Sequence, residues 1–335
     1  MKKKLLILGM LGLGFLNLIG QEIHTAAEIF KIMENSSITY ELIALEKEIL
    51  PKDRSGNLNY NQYYRVIDGD QILTYKYEVD SNVQSYLTKA EDYFRENRLL
   101  LARGMYLEAL RADSTYYEVM TYIGQTYGME GDLDNAIAWY KKTIALNYID
   151  YMAHWFLAEA YKKQGELDKA VDEITIAMTL NRNNPRIAKS LKSIYELKKL
   201  NVDDWTFNPQ IIIDSIGVDK VRISFDSDWL GYALVKAIWK YEPGYRKSMG
   251  VNDGSYSTTE EKECFVSLIP TFDKKILKKH PEFRALQLAL DKKMINAYIF
   301  YEIILPEYPF VAHQLPTEVI LDIKNYVIEV RGKQK

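Results

Sequence analysis

The chain has 335 residues, 47% of them hydrophobic and 27% charged, with a formal net charge of −3. That length leaves room for two domains, and that composition excludes wholesale disorder. The mild acidity argues against a general binder of nucleic acid or anionic membrane, and a single cysteine, Cys264, excludes an internal disulfide.

Residues 1–20 have the layout of a secretory signal peptide. Lys2, Lys3 and Lys4 precede an apolar run from Leu5 to Ile19, and Gly20 offers a small residue at the cut. The run is about fifteen residues, short of the roughly twenty needed to span a bilayer. An uncleaved anchor is the alternative, because Leu18 is large for the third position before the cut. Removal takes away three lysines and no acids, leaving a net charge of about −6. The expected location is periplasmic or secreted, without stable membrane insertion once the signal is removed.

Residues 21–82 read as a small α+β cap. Thr25 to Met33 is a short amphipathic helix, Ile38 to Leu42 is strand-like, and Tyr63 to Val79 holds two strands about a turn at Asp68-Gly69-Asp70. Asn35-Ser36-Ser37 matches a glycosylation sequon, read here as a loop.

Residues 83–184 carry an internal repeat. Ala90, Gly124 and Ala158 fall 34 apart. Tyrosines follow each at the same offset (Tyr93, Tyr127, Tyr161), then alanines (Ala102, Ala136, Ala170), then Tyr106, Tyr140 and Ile174. Asn97, Gly131 and Gly165 share one column, where a left-handed turn residue is expected between two helices. The pattern resembles the tetratricopeptide repeat (TPR) family in units 83–116, 117–150 and 151–184, of the exported bacterial type. Two positions depart from it: Lys89 stands where a large apolar residue is usual, and His154 where tryptophan is usual. Asn184-Pro185 then starts a further helix, striped by Ile187, Leu191, Ile194 and Leu197, which caps the array to residue 200.

Residues 201–335 read as a mostly helical C-terminal domain, and no catalytic family is recognised in it. Eight of the nine prolines lie from position 185 onward. Ile211–Asp214 and Lys220–Phe225 suggest a hairpin, and Asp226 with Asp228 caps a helix from Trp229 to Tyr241. Ser257 and Glu260 form a capping box for a helix to Ile269. His280-Pro281 opens a long apolar helix to about Leu305, and Thr317 caps a last one. The fold class is therefore mainly α: a TPR-type superhelix with a small α+β N-terminal cap and a mostly helical C-terminal region.

Chemistry is sparse. His24, His154, His280 and His313 show no metal-ligand spacing, and there is no phosphate loop or nucleophile motif, so neither metal nor cofactor is expected. Cys264 reads as a buried thiol, and Asp226 with Asp228, and Asp203 with Asp204, as caps or loop acids. Trp229, Tyr232, Trp239, Tyr241 and Tyr245 read as core, with an aromatic platform for glycan or peptide as the alternative.

The TPR resemblance implies a concave groove lined by the first helix of each unit. On this phasing the groove residues are Leu87, Glu91, Phe94, Thr121, Gln125, Trp155, Glu159 and Lys162. The basic set that holds a C-terminal carboxylate in some relatives is absent, so an apolar or mixed peptide anchored on Trp155 is expected. The reading is a non-enzymatic scaffold or adaptor with a protein or peptide partner and no nucleic acid. The alternative is an enzyme or glycan-binding protein whose site lies in the C-terminal domain, with the repeats as recruiting arm.

Overall fold

The computed structural model describes residues 23–56, 62–69, 71–251 and 258–333. The signal segment and Ser257 of the expected capping box lie outside them.

In chain order, α1 (Ala26–Glu34) and β1 (Thr39–Ala44) precede the hairpin β2 (Tyr63–Asp68) and β3 (Gln71–Lys76). The helical array follows: α2 (Ser81–Arg95), α3 (Leu99–Ala112), α4 (Glu118–Glu130), α5 (Leu133–Leu146), α6 (Tyr151–Gln164), α7 (Leu167–Leu180) and α8 (Pro185–Leu197). Then come β4 (Ile211–Gly217), β5 (Lys220–Phe225), α9 (Leu230–Tyr241), α10 (Tyr245–Ser248) and α11 (Thr258–Leu268). The chain ends with α12 (Lys274–Lys279), α13 (Pro281–Asp291), α14 (Ile295–Tyr298), α15 (Leu305–Glu307) and α16 (Thr317–Tyr326).

These elements sort into two compact units in an interleaved order. Residues 54–203 and 300–333 form a repeat unit, and residues 23–53 and 204–299 form an α+β unit. The division differs from the expected boundaries near 82 and 201. The N-terminal cap does not hold together: α1 and β1 go to the α+β unit, while the β2–β3 hairpin goes to the repeats. The C-terminal region divides in the same way near residue 299. The physical reason is strand pairing, since β1 finds its partner in β5 rather than in β2 or β3.

In the repeat unit, α2–α8 pack as successive antiparallel pairs, each helix against the next. The columns of the repeat explain why. Ala90 and Ala158 are fully buried, and a Cβ on Gly124 would lie 2.6 Å from the Tyr140 ring. Only a small residue fits where the paired helices cross. Gly131 (φ 85°) and Asn97 (φ 56°) take the left-handed conformation that ends the first helix of a unit and starts the second. The alanines at 102, 136 and 170 are buried, with Tyr106, Tyr140 and Ile174 filling the space between helices.

The hairpin runs along the loops that join successive repeats. Tyr77 packs edge-on against Tyr116 at 4.7 Å, and Asn147 Nδ2 donates to the Tyr63 carbonyl at 3.0 Å. It also meets the returning C-terminal segment: Arg65 donates to the Leu315 carbonyl at 2.7 Å, and Thr74 to that of His313 at 3.2 Å. That segment closes the last repeat. Buried Glu302 accepts from Tyr326 at 2.7 Å and from Arg331 at 3.2 Å, while Arg182, just after α7, donates to the Tyr301 carbonyl at 3.1 Å. The expected cap, α8, is thus one of two elements that cover the end of the array.

The α+β unit has a three-stranded sheet ordered β1-β5-β4, with β1 parallel and β4 antiparallel to β5. Val221 and Ile223 point into the core, and Lys220, Arg222 and Ser224 point away from it. α9 covers the inner face, with α1 and α11 beside it. A Cβ on Gly231 of α9 would lie 2.3 Å from the Ser267 carbonyl oxygen of α11, so glycine is what lets the two backbones touch.

Two expectations in this region change. The long helix from His280 to Leu305 is broken: α13 stops at Asp291, and Lys293 turns left-handed at φ 60°. No glycine or proline marks that break. The last helix begins at Thr317, but Pro316 occupies the cap position, and the Thr317 hydroxyl instead meets Arg65 of the hairpin.

Candidate functional site

The eight expected groove residues lie on α2, α4 and α6, and the structure treats them unequally. On α2, Leu87 is buried in a cluster with Val83, Ala90 and Tyr106, and half-buried Phe94 packs on the same cluster. Glu91 accepts the Tyr106 hydroxyl. On α4, Thr121 is fully buried and Gln125 half-buried. Thr121 is therefore corrected from a ligand contact to an internal strut. Its hydroxyl lies 3.1 Å from Oδ2 of Asp150, the residue that caps α6, and 3.3 Å from Thr143 of α5. Leu87 is likewise corrected to a core residue, because the first repeat draws it inward.

In the third repeat the three expected residues share one face of one helix. Trp155, Glu159 and Lys162 follow at helical spacing on one stripe of α6, all half-buried. The indole Nε1 of Trp155 donates to Ser190 Oγ of α8 at 2.8 Å. Ser190 donates in turn to Glu159 Oε1 at 2.6 Å, and Lys162 pairs with the other Glu159 oxygen at 2.5 Å. Trp155 also stacks on Phe156, with ring centroids 5.3 Å apart. The tryptophan is thereby held in one orientation with its polar atom satisfied, and the rest of the ring is left for apolar contact. Ser190 is absent from the sequence-derived set, although the α8 start signal placed its helix correctly. The polar side of that helix was the signal that could have found it.

Behind this stripe lies a buried polar chain. Asp150 caps α6 by accepting the Ala153 N–H at 2.9 Å. Burial pushes its carboxyl up to about 6, against the opposing hydrogen bonds from Ala153 and Thr121. His154, which replaces the usual tryptophan, is also buried, its ring nitrogens 2.6 Å from Glu173 and 2.9 Å from the Tyr148 carbonyl. That pair of acceptors accounts for an imidazole at a position where an indole is the family habit.

Elsewhere the structure supports packing roles. Trp229, Tyr232, Trp239 and Tyr245 are buried, and Trp229 and Tyr232 meet edge-on around Phe207. They form a core and not an exposed platform. Asp226 accepts the Asp228 N–H at 2.9 Å, while Asp228 itself binds Lys279 at 2.6 Å and His280 at 3.0 Å. Cys264 is buried, and burial pushes its thiol well above the usual value. Among the described residues no cluster of three or more His, Cys, Asp or Glu is placed to hold a metal ion, and no helix is long and apolar enough to cross a membrane.

No protein-family profile matches the chain, and no curated protein matches it. Similar solved structures exist. The first TPR of Spaghetti (RPAP3), bound to the HSP90 peptide SRMEEVD, is 20% identical, with a TM-score of 0.34 over 36% of this chain and 97% of that one. MamA is 24% identical, with a TM-score of 0.33 over 35% and 69%. The Yersinia enterocolitica secretion chaperone SycD, in complex with a peptide of the translocator YopD, is 21% identical, with a TM-score of 0.33 over 37% and 99%. The 34-residue columns and the antiparallel helix pairs they build identify α2–α8 as a TPR-type superhelix.

Proposed function

We propose that this protein is an exported TPR scaffold that holds a segment of a partner protein against the inner face of its third repeat and α8. The observation that carries the reading is the braced tryptophan. Trp155 is fixed by the Ser190–Glu159–Lys162 chain and keeps part of its ring accessible. A rigid, half-exposed aromatic beside polar groups that already have partners is the kind of anchor on which interface affinity concentrates. The segment it fits has a bulky apolar side chain for the ring and polar groups for Glu159 and Lys162.

Selection of displayed peptides on residues 21–335 tests the proposal. Selected peptides are expected to lose about tenfold or more in affinity on Trp155→Ala and much less on Trp155→Phe, a hot-spot loss above roughly 1.4 kcal/mol. Affinity unchanged by Trp155→Ala would overturn it. Export is part of the same proposal and rests on the layout of residues 1–20. N-terminal sequencing of the chain from an envelope or secreted fraction is expected to begin at Gln21, and recovery of the unprocessed chain from the cytoplasm alone would refute export.

A further inference from the structure

Helix α8 buries Ile187, Ile194 and Tyr195 on one side and exposes cations on another. Arg186, Lys189 and Lys192 recur every three residues, are exposed, and make no side-chain hydrogen bond or ion pair with the described residues. Arg186 stands in the first turn, where the helix macrodipole already carries positive charge and acids are the favoured residues, yet that turn holds no acid. The acid of α8, Glu196, lies in the last turn, roughly 15 Å along the axis from Arg186.

Two observations put the start of this stripe beside Trp155. Ser190, the neighbour of Lys189, accepts the Trp155 indole N–H at 2.8 Å and donates to Glu159 at 2.6 Å. One turn earlier, Arg186 acts on Tyr151, the first residue of α6, drawing down a hydroxyl that burial pushes up. Arg186 and Ser190 therefore follow Tyr151 and Trp155, turn for turn, along the α6 side of α8. Glu159, the acid of α6, is already engaged by Lys162 and Ser190, so the cations of α8 are not neutralised from that helix.

We propose that the segment held at Trp155 is acidic: its apolar side chain lies on the ring, and its side-chain carboxylates meet Arg186 and Lys189. The inference rests on the peptide-binding reading above and names the chemistry of the partner. Arg186, Lys189 and Lys192 span about 9 Å of helix, which suits carboxylates on neighbouring residues better than the single carboxylate of a chain end. An extended segment advances about 3.3 Å per residue, so its acids fall within about three positions of the apolar anchor.

The test selects displayed peptides of random sequence on residues 21–335 and titrates synthetic copies. Peptides that depend on Trp155 are expected to carry two or more Asp or Glu within about three positions of a bulky apolar residue. Changing those acids to Asn or Gln is expected to weaken binding about tenfold. The double variant Arg186→Gln, Lys189→Gln is expected to lose about as much, and the two losses should not add. Affinity should fall as salt rises from about 50 to about 500 mM, and the double variant should flatten that dependence. Lys142→Gln removes an exposed cation from α5 and should change neither, and a peptide with an amidated C-terminus should bind equally. Both substituted cations are exposed, and a thermal melt checks that the double variant folds. If it does not, the substitutions in the peptide and the salt dependence carry the test. Trp155-dependent peptides without acids, acids replaceable at no loss, an unaffected double variant, or binding lost on amidation would each overturn the acidic segment and leave the groove reading standing. A selection that yields no Trp155-dependent peptide would overturn both.

Discussion

The two units are held together by opposite strategies. In the repeat array each helix packs on the next one in the chain, and the same small, aromatic and turn residues recur every 34 positions. In the α+β unit the central strand takes one partner, β1, from the far end of the chain, pairing residues 39–44 with residues 220–225. Its core is closed by single, unrepeated devices. The clearest is Glu263, fully buried, which accepts from Trp239 Nε1 at 2.5 Å, from Tyr245 at 3.0 Å and from the His24 N–H at 2.9 Å. The contrast teaches that a local architecture tolerates the loss of any one contact better than one closed over long range.

Fragments should break the comparison most sharply. Residues 78–203 alone are expected to give the helical circular dichroism and slow amide exchange of a folded array. Residues 204–299 alone, lacking β1 and α1, are expected to give neither. Cooperative folding of the second fragment would show that the long-range pairing is dispensable.

Within the full chain, Glu263→Ala should have the next largest effect. It strands several buried donors at about 1–3 kcal/mol each, for a total of roughly 3–5 kcal/mol. Amide exchange should accelerate in α9 and α11 and stay unchanged in α4 and α5.

The array has its own weak point, and it is pH-dependent. The buried Asp150 carboxyl sits at about 6 when folded against an ordinary 3.8. An acid raised by folding holds its proton more tightly in the folded state, so its contribution to stability is lost as pH rises from about 4 to about 6. The linkage amounts to at most about 3 kcal/mol. Asp150→Asn should flatten that part of the stability profile, and an unchanged slope would assign it to other groups.

Paired glycine substitutions give the finest resolution. Gly231→Ala drives a methyl into the Ser267 carbonyl, which is backbone, whereas Gly124→Ala meets the movable ring of Tyr140. Overpacking costs about 1–3 kcal/mol, and the first variant is expected at the top of that range and the second at the bottom. Denaturant melts read on each unit separately would show the order, and a reversed order would mean that the helices of the array are the more rigidly held.

How much of this was legible in the sequence follows from the same contrast. The repeat columns, the left-handed turns at Asn97 and Gly131, the start of α8 at Asn184-Pro185 and the hairpin around Gly69 are local, and each appears as read. So does the short helix read from Thr25 to Met33, to which the structure adds a capping box between Thr25 and Glu28. The break at Lys293 was invisible because a left-handed lysine carries no composition signal. Groove residues were legible as positions on a helix but not as surfaces. Nothing within α4 says that Thr121 will be buried against Asp150, and nothing within α6 says that Ser190 will steady Trp155.

The sequence by itself determined the repeat, its phase, the residues at each helix crossing and the stripe on α6 that carries Trp155, because those features depend on neighbours within about 34 residues. The tertiary structure alone decided that β1 joins β5, that residues 300–333 return to close the last repeat, and which polar side chains share a hydrogen bond. Those outcomes depend on which buried donors and strand edges find partners across the chain, a condition no local pattern encodes.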